Sequence, residues 1–457
     1  MHPRDLAYIL AGVAMSPVIL RKSRGDWPAR FGKTEPLAPV APGKLGRVLL
    51  HAVSVGEVNA LRALVPRLAE AAEVVVSVTT DTGIARARAL FEGEAKLATV
   101  VRYPLDFSWS VRRFLDAVRP DAVGLVELEL WPGFLSACRS RSIPVAVING
   151  RLSERSFRGY HRFRRVVSPM FRELAFAAVQ DGAYAERFEA MGVKPTDCLL
   201  TGSMKWDAAD PDAAHDPAFV RTGEALAAEL GIDRTRPLIV AGSTAEGEEQ
   251  LLHESVAALA SGGRVAQGVQ LACAPRQATR FDEAARDLPG CVRRSAGAPG
   301  APGSTRFLLD TIGELRALYA IADIVVLGRS FAPLYGSDPI EPAALGKPVV
   351  IGPNVTDFEH AVGALNEAGA LRRVEADELG GALGEILGDP PLARLMGERG
   401  IACVRAHQGA SERHAALLLS LLGPSRGASG VADASKLEAE GSQTRVEAVR
   451  SGVRPVA

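Results

Sequence analysis

Residues 47–78, RVLLHAVSVGEVNALRALVPRLAEAAEVVVSV, read as strand, helix, strand. The runs at 47–53 and 73–78 are short and rich in branched apolar residues. Residues 58–68 between them carry apolar side chains at 58, 61, 64, 65 and 68, the spacing of a helix with one buried face. Strands joined through helices form βαβ units, and repeated units build a parallel sheet. The alternation continues, with further strands expected at 122–126, 144–148 and 176–180. Residues 207–217, DAADPDAAHDP, then break it with two prolines and no apolar period, and read as a linker. Beyond them strands are expected at 237–241, 269–274, 324–327 and 348–351, with a helix at 248–260. The Gly/Pro-rich run at 296–303 reads as a surface loop.

The chain is therefore α/β, with two consecutive Rossmann-like domains facing a central cleft, the GT-B layout. Its expected organisation is a membrane anchor and basic flank at 1–30, a first domain at 31–207, a linker at 208–217, a second domain at 218–422 and a disordered tail at 423–457. A length of 457 residues fits two domains better than one. Residues 6–20, LAYILAGVAMSPVIL, carry no charge and are followed by Arg21, Lys22 and Arg24. About fifteen apolar residues is short for a spanning helix, which needs about twenty. The cations after the run place the following domains on the cytoplasmic side of the inner membrane, by spanning or by lying on it.

Lys plus Arg and Asp plus Glu both number 53, so no bulk charge favours nucleic acid. The five cysteines, Cys138, Cys198, Cys273, Cys291 and Cys403, are scattered, and the eight histidines show no HExxH or HxH spacing. A disulfide framework or a metal site is not expected.

In open parallel sheets ligands bind beyond the carboxyl ends of the strands, so the strand-to-helix junctions carry the functional reading. At 51–57, HAVSVGE, Ser54 and Glu57 fit a capping box, and Glu57 fits equally a general base at a strand end. At 126–132, VELELWP, Glu127 and Glu129 point the same way if the segment stays extended, and need cations such as Arg151, Arg155 or Lys205. Lys205 stands at the linker and hence near the cleft. Ser243, after the first strand of the second domain, reads as a cap with Glu246 or as part of a phosphate cradle. Pro275 and Arg276 follow another strand, where Arg276 can pair with a phosphate. In 335–342, YGSDPIEP, Gly336 permits close backbone approach and Glu341 opens a helix, placed to cap it or to accept ribose hydroxyls.

Eleven short runs carry a resemblance, in the same order over about residues 30 to 360: FGK (31–33), HAVSVGEV (51–58), VTTDTG (78–83), YPLD (103–106), ELELWP (127–132), NGRLSERS (149–156), TGSMKWD (201–207), AGSTAEGEE (241–249), APRQATRF (274–281), DTIGEL (310–315) and DPIEPAALGKPVVIGP (338–353). Together they resemble the family that transfers Kdo (3-deoxy-D-manno-octulosonic acid) from CMP-Kdo to lipid A precursor. The resemblance implies Glu57 as general base, with Glu127 and Lys205 assisting and Glu129 as the substitute for Glu127. It implies a CMP site formed by Pro275, Arg276, Ile312, Gly313, Glu314, Asp338, Pro339, Ile340 and Glu341. Ser54, Gly56, Glu129, Arg151, Ser243, Gly336 and Ser337 are further expected substrate-binding residues.

A single displacement with inversion follows from the same resemblance, without metal or cofactor, on lipid IVA at the inner membrane. The triplet Asp210-Pro211-Asp212 has DxD form, but its place in the linker sets it aside. The chain departs from the family's usual GGHNPLEP, reading YGSDPIEP, and from its PRH, reading Pro275-Arg276-Gln277. Two other readings compete: a GT-B enzyme using a UDP-sugar on a lipid-linked acceptor, and an inactive membrane-associated binding protein.

Overall fold

The structure is a computed structural model that describes residues 5, 25–93, 96–261 and 268–423. The apolar stretch 6–20 and all but the first residue of the expected tail lie outside them. Among the described residues no helix is long and apolar enough to cross a membrane.

The first sheet comprises β1 (Arg47–Ala52), β2 (Glu73–Val78), β3 (Thr99–Arg102), β4 (Ala122–Val126), β5 (Val145–Gly150), β6 (Ala177–Val179) and β7 (Cys198–Leu200). Its spatial order is β3-β2-β1-β4-β5-β6-β7. The second comprises β8 (Leu238–Thr244), β9 (Gln270–Pro275), β10 (Val292–Arg293), β11 (Arg306–Leu308), β12 (Ile324–Leu327), β13 (Val349–Ile351) and β14 (Leu371–Arg373), in the order β10-β11-β9-β8-β12-β13-β14. All neighbouring strands are parallel. This is the doubly wound α/β architecture that the alternation of residues 47–78 implies.

Alternation within the strands explains the layers. In β1, Val48, Leu50 and Ala52 enter one core and Leu49 enters the core on the opposite face. Both faces are covered by helices, so the strands read as continuous apolar runs. His51 belongs to this core: its Nδ1 lies 3.1 Å from both the carbonyl and the hydroxyl of Ser77. Its ring stacks on Tyr103 at 3.6 Å between centroids. Burial holds its pKa down at about 3, against which the Ser77 carbonyl bond pulls only weakly.

Two elements differ from the sequence expectation. The helix expected at 58–68 is split into Val55–Ala60 and Leu64–Ala71. Pro66 has no amide for the carbonyl of Arg62, and its ring would crowd it. The chain therefore turns and restarts at Leu64, which places Pro66 in a first turn. The final helix, Ala410–Ser420, packs against the first domain, with Ala410, Ala415 and Leu418 in its core, although residues 218–422 read as one second domain. Its start is fixed from the linker side, where the Asp207 carboxylate accepts the amides of Gly409 and Ser411.

The strand order reverses between β1 and β4 in the first sheet and between β8 and β12 in the second, where β10 and β11 are also exchanged at the edge. At these switch points the loops leave in opposite directions and a crevice opens at the carboxyl ends of the strands.

Candidate active site

The first crevice lies between the loop after β1 and the loop after β4. Ser54 caps the helix Val55–Ala60, its hydroxyl accepting the amide of Glu57 at 3.3 Å. In return it donates to Glu57 Oε1 at 2.8 Å, while Glu57 Oε2 accepts the amide of Val53 at 2.7 Å. The capping reading of Ser54 and Glu57 is thus realised. It does not consume the carboxylate, since each oxygen keeps a further lone pair. The pKa of Glu57 is raised to about 7, chiefly by burial, with the charges of Glu127 and Glu129 adding to the rise. The bonds from Val53 and Ser54 oppose it.

Glu127 ends β4 with φ 61° and its amide on the carbonyl of Ile148. This left-handed residue breaks the extended path assumed for residues 127–129. The two carboxylates therefore do not owe their proximity to strand alternation. Both still act on Glu57, and Glu129 is itself raised by burial and by Glu127, against a 3.1 Å bond from the Trp131 indole. Arg151 supplies the cation expected near them, feeling the charges of Glu127 and Asp357 and bonding Tyr184.

The second crevice is organised by a residue that motif reading passed over. Glu248 is buried, and its Oε2 accepts the amides of Ala245 at 2.8 Å and Arg329 at 2.7 Å. Its Oε1 accepts those of Ser330, Phe331 and Ala332 at 3.0, 3.0 and 3.3 Å. One carboxylate thereby joins the loops after β8 and β12. A Cβ at Gly328 would meet Thr244 Cα at 2.5 Å, which shows how closely these loops approach. Ser243 bulges out of β8 with φ 58°, and Arg329 stands opposite with φ 59°. No bond joins Ser243 to Glu246, because β8 runs on through Thr244 and the helix begins at Glu248.

The 335–342 segment folds back over this crevice. Gly336 has φ 79° and donates its amide to the carbonyl of Arg329 at 2.8 Å, and a Cβ there would lie 2.9 Å from the Asn354 carbonyl. Ser337 donates its hydroxyl to the carbonyl of Gly328 at 2.8 Å. Asp338 opens onto the cleft but is crowded by surrounding protein, which raises its pKa; the amide of Ile340 and the charge of Lys205 pull it down. Pro339 precedes, and Glu341 lies in the first turn of, the helix Ile340–Ala344. Glu341 is raised by burial and stands 3.5 Å from Arg316.

A cavity of about 360 Å³ lies between the two crevices. The first domain contributes Gly56, Asn59, Ala60 and, at its end, Lys205, and the linker contributes Ala208. The second contributes Ser243, Arg276, Tyr319, Arg329, Ser337, Asp338, Glu341 and Phe358. Lys205 sits at the junction with a smaller cavity lined by Arg151, Tyr184 and Asp357, its Nζ 5.5 Å from the Phe358 ring centroid.

Several expected residues stand apart. Ile312, Gly313 and Glu314 do not line the large cavity, whose lining there begins at Leu315. Ile312 is 75% exposed, and Glu314 is paired with Arg294 at 3.1 Å. Pro275 is buried as the last residue of β9, leaving Arg276 to face the cleft. Asp212 of the linker pairs with Arg405 on the outside, as its exclusion from the site requires. Among the described residues no group of His, Cys, Asp or Glu is arranged to hold a metal. Sequence reasoning missed Asn59, Tyr319, Arg329 and Phe358. Only Arg329 had a signal, a cation one glycine beyond the apolar run 324–327.

Comparison with known proteins agrees with this arrangement. A family model described as 3-deoxy-D-manno-octulosonic-acid transferase (kdotransferase) matches residues 25–208. A 3-deoxy-D-manno-octulosonic acid transferase of Bordetella pertussis is 36% identical, covering 89% of this chain and 96% of its own. One of Haemophilus influenzae is 29% identical, covering 82% and 86%. Among solved structures, UDP-GlcNAc 2-epimerase of Neisseria meningitidis bound to UDP-GlcNAc superposes with a TM-score of 0.55 at 14% identity, over 82% of this chain and 99% of that one. Anabaena HepE in complex with UDP and glucose gives 0.55 at 16% identity, over 82% and 99%. At such identity the likeness is one of fold, and the fold is GT-B.

Proposed function

The chain belongs to the 3-deoxy-D-manno-octulosonic acid (Kdo) transferase family and is a glycosyltransferase, and from that premise we propose that it moves Kdo from CMP-Kdo to a lipid A precursor, lipid IVA, with Glu57 as general base. The observation that carries this reading is that Gly56, beside Glu57 in the loop after β1, lines one cleft with Ser243, Arg276 and Glu341, and that the loops after β1, β8 and β12 stand at the switch points of their sheets. A raised pKa of about 7 suits a base that must be free at working pH yet able to hold a proton.

The acceptor hydroxyl oxygen attacks the Kdo anomeric carbon as its proton passes to Glu57. The bond from that carbon to the phosphate oxygen breaks on the opposite side, and CMP leaves with the electron pair. One displacement inverts the configuration. Arg276 and the amides of the Ser243 bulge meet the charge on the leaving phosphate, and Lys205 and Glu127 position the reacting groups. Glu341 accepts ribose hydroxyls. In this reading the reaction takes place at the cytoplasmic face of the inner membrane, where the lipid acceptor lies, and needs no metal or cofactor.

The test is incubation of the full chain with CMP-Kdo generated in situ and lipid IVA, in EDTA, followed by mass spectrometry of the lipid. A gain of one or more Kdo units supports the reading. An unchanged lipid, with protein that still binds CMP, removes the acceptor assignment.

A further inference from the structure

The second crevice holds a cation that the reading above leaves without a role. Arg329 follows β12 after one residue, Gly328, and lines the cleft between the domains. Its guanidinium forms no ion pair or hydrogen bond among the described residues. Its backbone is held on both sides: the amide by Glu248 at 2.7 Å and the carbonyl by the amide of Gly336 at 2.8 Å. A non-glycine residue in the left-handed region is strained, and such residues persist where their surroundings over-determine them. Ser243 shares this conformation across the crevice, and Glu248 Oε2 ties the two loops through Ala245 and Arg329. The structure thus fixes an unpaired arginine at the switch point of the second sheet, where a ligand binds.

The 336–338 segment lies over the same loop and brings the Asp338 carboxylate into the cavity. Ser337 is bonded to the carbonyl of Gly328, the residue before Arg329, and Gly336 is bonded to Arg329 itself. This segment and the arginine are therefore one structural unit. Lys205 is the cation that acts on Asp338, which leaves Arg329 uncommitted.

We propose that Arg329 is a donor-binding residue that pairs with an anionic group of the nucleotide sugar, the phosphate or the sugar carboxylate. A guanidinium offers a planar pair of donors to either oxyanion. The proposal rests on the reading of the cleft as the CMP-Kdo site.

It is tested by titrating CMP and cytidine into the full chain and its Arg329→Gln and Arg329→Gly variants, and by measuring KM for CMP-Kdo in the transfer reaction. Arg329→Gly relieves the backbone strain and so separates folding from charge. Both variants are expected to weaken an anionic ligand about tenfold or more, the loss of one charge-assisted pair. A loss for CMP but not cytidine identifies the phosphate as the partner. An unchanged CMP affinity with a raised KM for CMP-Kdo identifies the carboxylate. Folded variants with unaltered CMP affinity and unaltered KM would overturn the proposal. A wild-type protein that binds no CMP would remove the donor reading, and this inference with it.

Discussion

The amide of Asn149 donates to Nε2 of His414, 2.8 Å away, although 265 positions separate them in the chain. The other ring nitrogen lies 2.6 Å from the Ala410 carbonyl, so Nδ1 carries the proton and the ring is neutral. Asn149 also accepts the amide of Met204. This seam fastens the last helix to the domain that bears Glu57.

Acid should open the seam. Burial lowers the pKa of His414 to about 4, helped by Arg413 and opposed by the Ala410 bond and Asp207. Because the folded value lies below the ordinary one, its stabilisation is complete above about pH 6.5 and is lost as the pH falls towards 4. The shift corresponds to roughly 3 kcal/mol. The protection factors of amides in residues 410–420, that is, exchange corrected for its intrinsic pH dependence, should fall between pH 7 and pH 5, and His414→Gln should flatten that dependence. His51 titrates in the same direction, so part of the acid sensitivity persists in the variant. An equally steep response in His414→Gln would place the acid trigger elsewhere.

Asp338 stands in the cavity with its pKa raised by the protein around it. A carboxylate there repels a donor phosphate, so Asp338→Asn should tighten CMP several-fold, as removal of one like charge does. Wild-type affinity should itself increase as the pH falls and Asp338 takes up a proton. Calorimetric titration of both proteins across pH checks this, and an identical affinity and pH response in the two would dissociate Asp338 from the donor phosphate.

Lys205 spans two cavities and faces both Asp338 and Phe358. Lys205→Met keeps much of the stem but removes the charge, and should lower kcat by about 10²-fold, the scale of one lost electrostatic donor. Lys205→Arg should recover only part, because the geometry differs. A change in KM alone would assign Lys205 to binding and not to the transition state.

Glu248→Gln keeps one carbonyl oxygen for five amides, and at least two of them lose their partner. A buried amide without a partner costs about 1–3 kcal/mol. The variant should melt earlier and lose CMP affinity, since Ser243 and Arg329 are positioned through this carboxylate. Retained affinity in a destabilised protein would confine Glu248 to folding.

The sequence made the sheets legible because buried parallel strands are continuous apolar runs. The edge strands β3, β7, β10 and β14, with β11 beside β10, run for two to four residues and were too short to stand out. At the site, Ser54, Glu57, Lys205 and Arg276 could be placed because each sits at a junction that the alternation marks. The φ of Glu127, the bulge at Ser243 and the clamp at Glu248 depend on contacts between loops far apart in sequence. Glu248 itself reads as an ordinary first-turn helix residue. Tyr319 and Phe358 reach the cleft from helix and loop positions with no local signature.

The most direct measurement is the pH dependence of kcat/KM for CMP release from CMP-Kdo with lipid IVA, in wild type and Glu57→Gln. The folded pKa of about 7 predicts a wild-type rate that rises tenfold per pH unit below 7 and levels above it. Glu57→Gln should be slower by about 10² to 10⁴-fold and lose that rise. A variant that keeps both the rate and the profile would show that another group takes the acceptor's proton.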